Sequence, residues 1–184
     1  MPFLIGDLAY RMEWYKGAQV NKGQLMDPPA SFADFQARDE RGTRLDSGFA
    51  KKSWWLLYVV PPQCEAACRN RLFQMRQVRR ALGKEAERVK QVLVMSASST
   101  PVVEALLQEE FSGFMRVHAE AENLDRALKG ATAQASRAGQ LYIMDPMGWI
   151  MLAYAAEPDE KASVVKAEEI LQDLRKLLKA SRIG

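Results

Sequence analysis

The segment that most restricts this chain is Trp-Trp-Leu-Leu-Tyr-Val-Val at positions 54–60, followed at once by Pro61 and Pro62. Seven consecutive aromatic and aliphatic residues without polar alternation suit a strand buried on both faces, as in a parallel or mixed sheet covered by helices. The prolines end it, because proline cannot donate to the ladder of a central strand. A chain built around such a strand needs a layer on each side of its sheet. With 184 residues, 48% of them hydrophobic, it can fill one compact domain of that kind.

The flanking pattern supplies the layers. Residues 64–82 read as a helix, with Ala67, Leu72, Met75, Val78 and Leu82 recurring at steps of three to five. Arg69, Arg71, Arg76, Arg79 and Arg80 fall largely between them and read as a solvated face; Gly83 reads as the stop. Val89–Met95 is a second strand. Ser99 or Thr100 caps a further helix that has Pro101 in its first position and runs to Glu110. Residues 114–117 make a short third strand and 124–128 a helical turn. Leu141–Met144, the turn Asp145-Pro146-Met147-Gly148 and Trp149–Tyr154 form a hairpin. Residues 164–178 are an amphipathic helix, with Val165, Ile170, Leu174, Leu177 and Leu178 opposed to Glu168, Asp173, Arg175 and Lys176. This order predicts an α/β sandwich with a mixed sheet.

Upstream, a turn at residues 39–42 joins 32–37 and 43–49 as a small hairpin. Residues 1–31, broken by Gly17, Gly23 and Pro28-Pro29, read as an extended leader outside or across the core, so the domain proper spans 32–184. The net charge of +3, from 26 basic and 23 acidic residues, is a poor footprint for nucleic acid, and none is expected as partner. No apolar run reaches the roughly 18 residues of a membrane span. Phosphate loops of the Gly-x-Gly-x-x-Gly or Gly-x-x-x-x-Gly-Lys type are absent.

The two cysteines, Cys64 and Cys68, stand where the buried strand passes into the helix. If the helix begins at or just before Cys64, both thiols share one face about a turn apart. That is near the roughly 4.4–6.8 Å Cα separation a disulfide tolerates, so bridge and dithiol are both accessible. The helix N-terminus favours a thiolate, as would Arg69 and Arg71 if they turn toward the sulfurs. Paired thiolates also suit a soft cation such as Cu(I). The plain alternative is two small buried hydrophobes. Against it stands position, since the end of a central strand is where α/β sheets form functional crevices.

With these features the chain resembles the Sco/SenC proteins, thioredoxin-like factors of cytochrome c oxidase assembly, over about residues 43–180. The resemblance rests on residues 54–60 running into Cys64-x-x-x-Cys68, on Val92-Leu-Val-Met-Ser-Ala-Ser-Ser-Thr-Pro101, and on Tyr142-Ile-Met-Asp-Pro-Met-Gly148. The leader segment Asn21-Lys-Gly-Gln-Leu-Met-Asp-Pro-Pro29 is similar to that of small single-pass membrane proteins encoded among oxidase assembly genes of Gram-negative bacteria. Arg76-Gln77 and Leu82-Gly83 are similar to that subgroup too. The resemblance implies a thioredoxin-like three-layer sandwich with an N-terminal extension. It also implies a place on the periplasmic side of the inner membrane, held by an N-terminal helix expected to have been removed upstream of this chain.

In the family, copper is held by the two cysteines and a histidine shortly before the hairpin, which implies Cys64 and Cys68 as metal ligands and copper as the cofactor. Here Arg137 stands about where that histidine belongs, Arg69 replaces a proline, and Ser96 to Ser99 replace the acidic residues of the Thr-Pro loop. The proline that precedes the corresponding strand in thioredoxins is absent as well.

The remaining groups have plainer readings. His118, the only histidine, reads as a solvated or hydrogen-bonded strand-end residue rather than a substitute ligand or acid–base group. Met75, Met95 and Met144 read as core filling, and Asp145 as turn chemistry. The resulting expectation is a dithiol–disulfide couple in which Cys64 attacks and Cys68 resolves. Its rivals are a copper chaperone using the same pair with a third ligand still to be identified, and a scaffold with a structural bridge. The partners implied by resemblance are a cytochrome c oxidase subunit or its copper-delivery factors.

Overall fold

A computed structural model describes residues 21–96, 99–129, 138–156 and 160–181, the side chains of Ser47, Glu160 and Lys161 excepted. Its elements are β1 (Gln24–Ser31), β2 (Arg38–Asp39), β3 (Trp54–Val59), α1 (Ala66–Ala81), β4 (Val89–Met95), α2 (Pro101–Glu110), β5 (Met115–His118), α3 (Ala121–Ala127), β6 (Leu141–Met144), β7 (Trp149–Tyr154) and α4 (Glu160–Ala180). The strands form one sheet in the order β1-β7-β6-β3-β4-β5-β2. The β3–β4 and β4–β5 pairs are parallel; β6 lies antiparallel to β3, β7 to β6, β1 to β7 and β2 to β5.

β3 is buried on both faces, as its composition requires. Trp54, Leu56, Tyr58 and Val60 face a core with α1, α2 and α4, while Trp55, Leu57 and Val59 face a second core. The β3–α1–β4 and β4–α2–β5 crossovers place their helices on one face, which the right-handedness of parallel connections dictates. The opposite face is covered by Leu124 of α3 and by Met26, Phe32 and Phe35 ahead of β3. There Phe49 stacks at 4.5 Å from Phe32 and 4.8 Å from Trp55. The result is the expected three-layer sandwich with a mixed central sheet.

Several element boundaries follow the sequence. Thr100 caps α2, accepting from the Val103 N–H at 3.4 Å, and Pro101 opens it. At the hairpin turn, Asp145 Oδ1 accepts from the N–H groups of Met147 and Trp149, both at 2.8 Å. Gly148 takes a φ of +88° there, a conformation that favours glycine.

Other expectations change. Residues 32–49 form a hairpin only at its tip, where Arg38 bridges Arg44 in antiparallel sense and the Leu45 N–H donates to the Ala37 carbonyl at 2.8 Å; Phe32–Phe35 and Ser47–Ala50 are single 3-10 turns, and Arg38 and Asp39 also pair with β5. The turn after Asp39 does form, with Gly42 at φ +81°. The competing influence is burial of Phe32 and Phe35, which a helical turn puts on one side and a strand would put on opposite faces. The last part of the leader, Gln24–Ser31, forms the edge strand β1 with Met26 and Ala30 buried. Pro28 and Pro29 fall in the irregular stretch of its ladder, where an edge strand tolerates them. Residues 1–20 of the leader lie outside the described residues.

Two charged patterns also differ. On α4, Val165 is 61% exposed whereas Asp173, placed by periodicity on the polar face, is fully buried. The arginines of α1, Arg80 excepted, are ties to neighbouring elements rather than a solvated face. Arg71 is buried and donates to Gln74 Oε1 and to the Ala155 carbonyl. Arg79 Nε donates to the Val89 carbonyl at 2.8 Å, and Arg76 lies over the Phe73 and Phe111 rings.

Candidate functional site: a cysteine pair at the strand–helix junction

The site is built by the exit from β3. Pro61 and Pro62 keep the chain extended after the buried strand, and Glu65 still has extended backbone (φ −80°, ψ −169°). α1 therefore begins at Ala66, not at or before Cys64 as the spacing suggested. The Arg69 N–H donates to the Glu65 carbonyl at 3.0 Å. Cys64 lies ahead of the helix and is partly exposed; Cys68 lies in its first turn and is only 4% exposed.

Cys64 and Cys68 form a disulfide with Cα atoms 5.0 Å apart, so the structure brings the two sequence-selected residues together. Both sit at the N-terminus of α1. The N-cap residue, Glu65, makes no side-chain hydrogen bond to the helix, so the partial positive charge of the first-turn amides has no carboxylate cap there. Arg69 and Arg71 do not add to that charge at the sulfurs. Arg69 pairs with Glu110 of α2 at 2.7 Å, and Arg71 turns toward Gln74 and the chain just past β7. Arg71 instead faces Tyr58, whose phenol burial pushes well above its ordinary range while the guanidinium pulls it partly back.

A second segment reaches the same end of the sheet. The Gly139 N–H donates to the Val59 carbonyl at 2.8 Å, and the Val59 N–H donates to the Gln140 carbonyl at 3.1 Å. Gly139 has a φ of +82°, and Gln140 is fully buried, its Oε1 accepting from the Tyr142 hydroxyl at 2.8 Å. Sequence reasoning singled out this stretch for Arg137 alone, which lies outside the described residues, as do Ala97 and Ser98 of the Thr-Pro loop. The signal for Gly139 and Gln140 was a glycine and an amide directly before a strand.

The chain also joins the sheet at this end. Gln24 of β1 lies opposite Ala153 of β7, Tyr154 opposite Leu141 of β6, and Leu141 opposite Tyr58 of β3. β1 and β3 are thus three strands, or about 14 Å, apart along one edge. Lys22 and Gly23 are fixed there by the buried carboxylate of Asp173, a residue that sequence periodicity assigned to solvent.

His118 ends β5, two strands from β3, and is exposed, as its reading predicted. Met75, Met95 and Met144 are buried in the core. Among the described residues no three His, Cys, Asp or Glu side chains are grouped to hold a metal ion. Among the described residues the two sulfurs have no third such side chain grouped with them, so the three-ligand copper set of the resemblance is not assembled there.

A central strand leading through a cysteine pair into a helix, within a sheet of this order, defines a thioredoxin-like protein. Residues 54–181 match the family described as transmembrane-like, thioredoxin-like, C-terminal domain, and the chain belongs to that family. No curated protein sequence matches it. Among solved structures it is similar to yeast Sco1, at 16% identity and a TM-score of 0.56 over 87% of this chain and 97% of that one. It is similar also to copper-bound ScoI of Arabidopsis thaliana (14% identity, TM-score 0.55, 84% and 98% covered). A SCO1/SenC family lipoprotein from Bacillus anthracis str. Ames has 14% identity and a TM-score of 0.52, with 85% and 94% covered. The fold is accordingly the Sco/SenC form of the thioredoxin-like sandwich. No helix among the described residues is long and apolar enough to cross a membrane.

Proposed function

We propose that this chain is a thiol–disulfide exchange protein acting through Cys64 and Cys68 in the assembly of a copper centre of cytochrome c oxidase. The observation that carries the chemistry is the unequal exposure of the bonded pair: Cys64 is reachable from solvent and Cys68 is not. In the reduced chain the Cys64 thiolate attacks one sulfur of a partner's disulfide, forming a mixed disulfide and releasing the other partner sulfur as a thiolate. The Cys68 thiolate then attacks Cys64 Sγ, closes the intramolecular bond and releases the second partner thiolate. Two electrons pass to the partner, and the reverse sequence oxidises it. The first-turn amides of α1 favour the thiolate forms that both steps need.

The cellular setting is an inference from likeness. The family is described as transmembrane-like, and the Bacillus relative as a lipoprotein, which supports work at a membrane surface. We place it on the periplasmic side of the inner membrane, with an oxidase subunit or its copper-delivery factors as partner. The leader joins the sheet at the cysteine end, so an anchor ahead of it would hold the cysteine pair toward the membrane. Copper is bound in a second structure of yeast Sco1 and in the Arabidopsis structure. Here it would meet the two sulfurs of the reduced pair, with no third ligand grouped there among the described residues.

Cys68→Ser is expected to accumulate a mixed disulfide through Cys64 when the reduced chain meets a disulfide substrate, and Cys64→Ser none. A potential above about −250 mV in glutathione buffers fits exchange. A potential below about −300 mV, with assembly unaffected by either substitution, would make the bond a structural bridge. Tight Cu(I) binding by the reduced chain, lost in both variants, would make it a copper carrier.

A further inference from the structure

β4 is apolar except at Lys90 and Gln91, and Gln91 stands between Val89 and Leu93 on the face covered by α1 and α2. A strand facing two helices would ordinarily carry an aliphatic side chain there. Gln91 Nε2 is buried without a hydrogen-bond partner, and so is Nε of Arg76 on α1. Both are pure donors, and an unpaired buried donor is costly. Both residues line the same groove, which Arg79, Arg80, Glu110 and Phe111 also line and whose volume is about 330 Å³.

The groove lies at the end of the sheet opposite the cysteines, between the C-terminal halves of α1 and α2 and the starts of β4 and β5. Three guanidinium groups line it against one carboxylate, and that carboxylate, Glu110, is already paired with Arg69 at 2.7 Å. Arg76 is held in place by its stacking over Phe73 and Phe111, at 4.7 and 5.3 Å, and by a 3.4 Å bond from Nη1 to the Glu110 carbonyl. Arg79 is fixed through Nε to the Val89 carbonyl. Arg80 is exposed and has no partner among the described residues.

We infer that this groove binds a phosphate-type oxyanion, a diphosphate or the phosphate of an ester. A guanidinium offers a planar pair of donors that matches phosphate oxygens, and Gln91 adds a neutral donor from the floor. A lone carboxylate would be satisfied by one arginine; three arginines and an amide converging from α1 and β4 suit the larger number of acceptor sites on a phosphate. The apolar rim of Phe111 and Phe114 would meet the organic part of an ester.

The test uses the full chain and its Gln91→Leu and Arg80→Glu variants, with pyrophosphate as calorimetric probe. Vesicles of phosphatidylglycerol, against phosphatidylcholine, are the sedimentation probe. Saturable pyrophosphate binding, weaker by about tenfold in each variant, supports a soluble phosphate source. Sedimentation with phosphatidylglycerol alone, lost in the same variants, supports a lipid headgroup. Gln91→Leu should also leave the melting temperature unchanged or higher, since it removes a buried unpaired amide. Arg80→Glu changes an exposed side chain and carries the test if Gln91→Leu misfolds. Binding of neither probe, or binding equal in wild type and Arg80→Glu, would overturn the assignment.

Discussion

The hydroxyl of Tyr154 donates a 2.7 Å hydrogen bond to the carboxylate of Asp173, which is fully buried in α4. The same Oδ2 accepts from the backbone N–H of Gly23 at 2.8 Å and of Lys22 at 2.9 Å. One carboxylate thus joins α4, β7 and the chain ahead of β1. Asp173→Leu, which leaves these donors unpaired, should cost about 2–4 kcal/mol, and Asp173→Asn about 1–2 kcal/mol because one oxygen remains. Urea unfolding measures both. Trypsin should also cut after Lys22 sooner in Asp173→Leu, and an unchanged urea midpoint would remove the clamp.

Gly23 is part of the same contact for a steric reason. A Cβ at this position would meet Tyr154 Cζ at 2.6 Å and its Oη at 2.8 Å. Gly23→Ala should therefore destabilise by about 1–3 kcal/mol, the range for overpacking. In a Tyr154→Leu background the penalty should shrink by about 0.5 kcal/mol or more. Equal penalties in the two backgrounds would show that the ring is not the obstacle.

How far the sequence carried depends on the kind of signal. The run at 54–60, the Thr100-Pro101 start and the Asp145–Gly148 turn each act through neighbouring residues, and each was legible. The cysteine pair was legible too, because spacing and position sufficed. Asp173 was not, since helix periodicity assigns a carboxylate to solvent and two of its donors, Lys22 and Gly23, lie some 150 positions away. Arg71, Arg76 and Arg79 escape the pattern likewise: their partners include carbonyls and rings brought by tertiary packing. The register by which Gly139 and Gln140 meet Val59 is equally non-local, as is the late start of α1 behind two prolines.

Arg71 and Arg80 stand on α1 in opposite surroundings, one buried and one exposed. Arg71, 3% exposed and bonded to Gln74 and Ala155, should cost about 2–4 kcal/mol when changed to Ala, through lost packing and two acceptors left unpaired. Arg80→Ala, at an exposed position, should leave the unfolding midpoint unchanged within error. Similar midpoints for the two variants would restore the solvated face.

Tyr58 and Tyr154 should govern alkaline stability. Burial is the main cause that raises both phenols; the bond to Asp173 and its negative charge raise Tyr154 further, and Arg71 partly offsets the rise at Tyr58. In the unfolded chain both titrate near pH 10. A phenol raised in the folded state contributes its full stability below about pH 10 and loses it as pH rises beyond, because the unfolded chain gives up the proton first. Unfolding free energy should fall above about pH 10 by as much as ~1.4 kcal/mol per pH unit for each of the two. Tyr154→Phe should be less stable at neutral pH yet show about half that alkaline slope. Urea titrations at successive pH values, with phenolate absorbance read in parallel, measure this directly. Ionisation of Tyr154 near pH 10 in the folded protein, or an unaltered slope in Tyr154→Phe, would contradict its burial against Asp173.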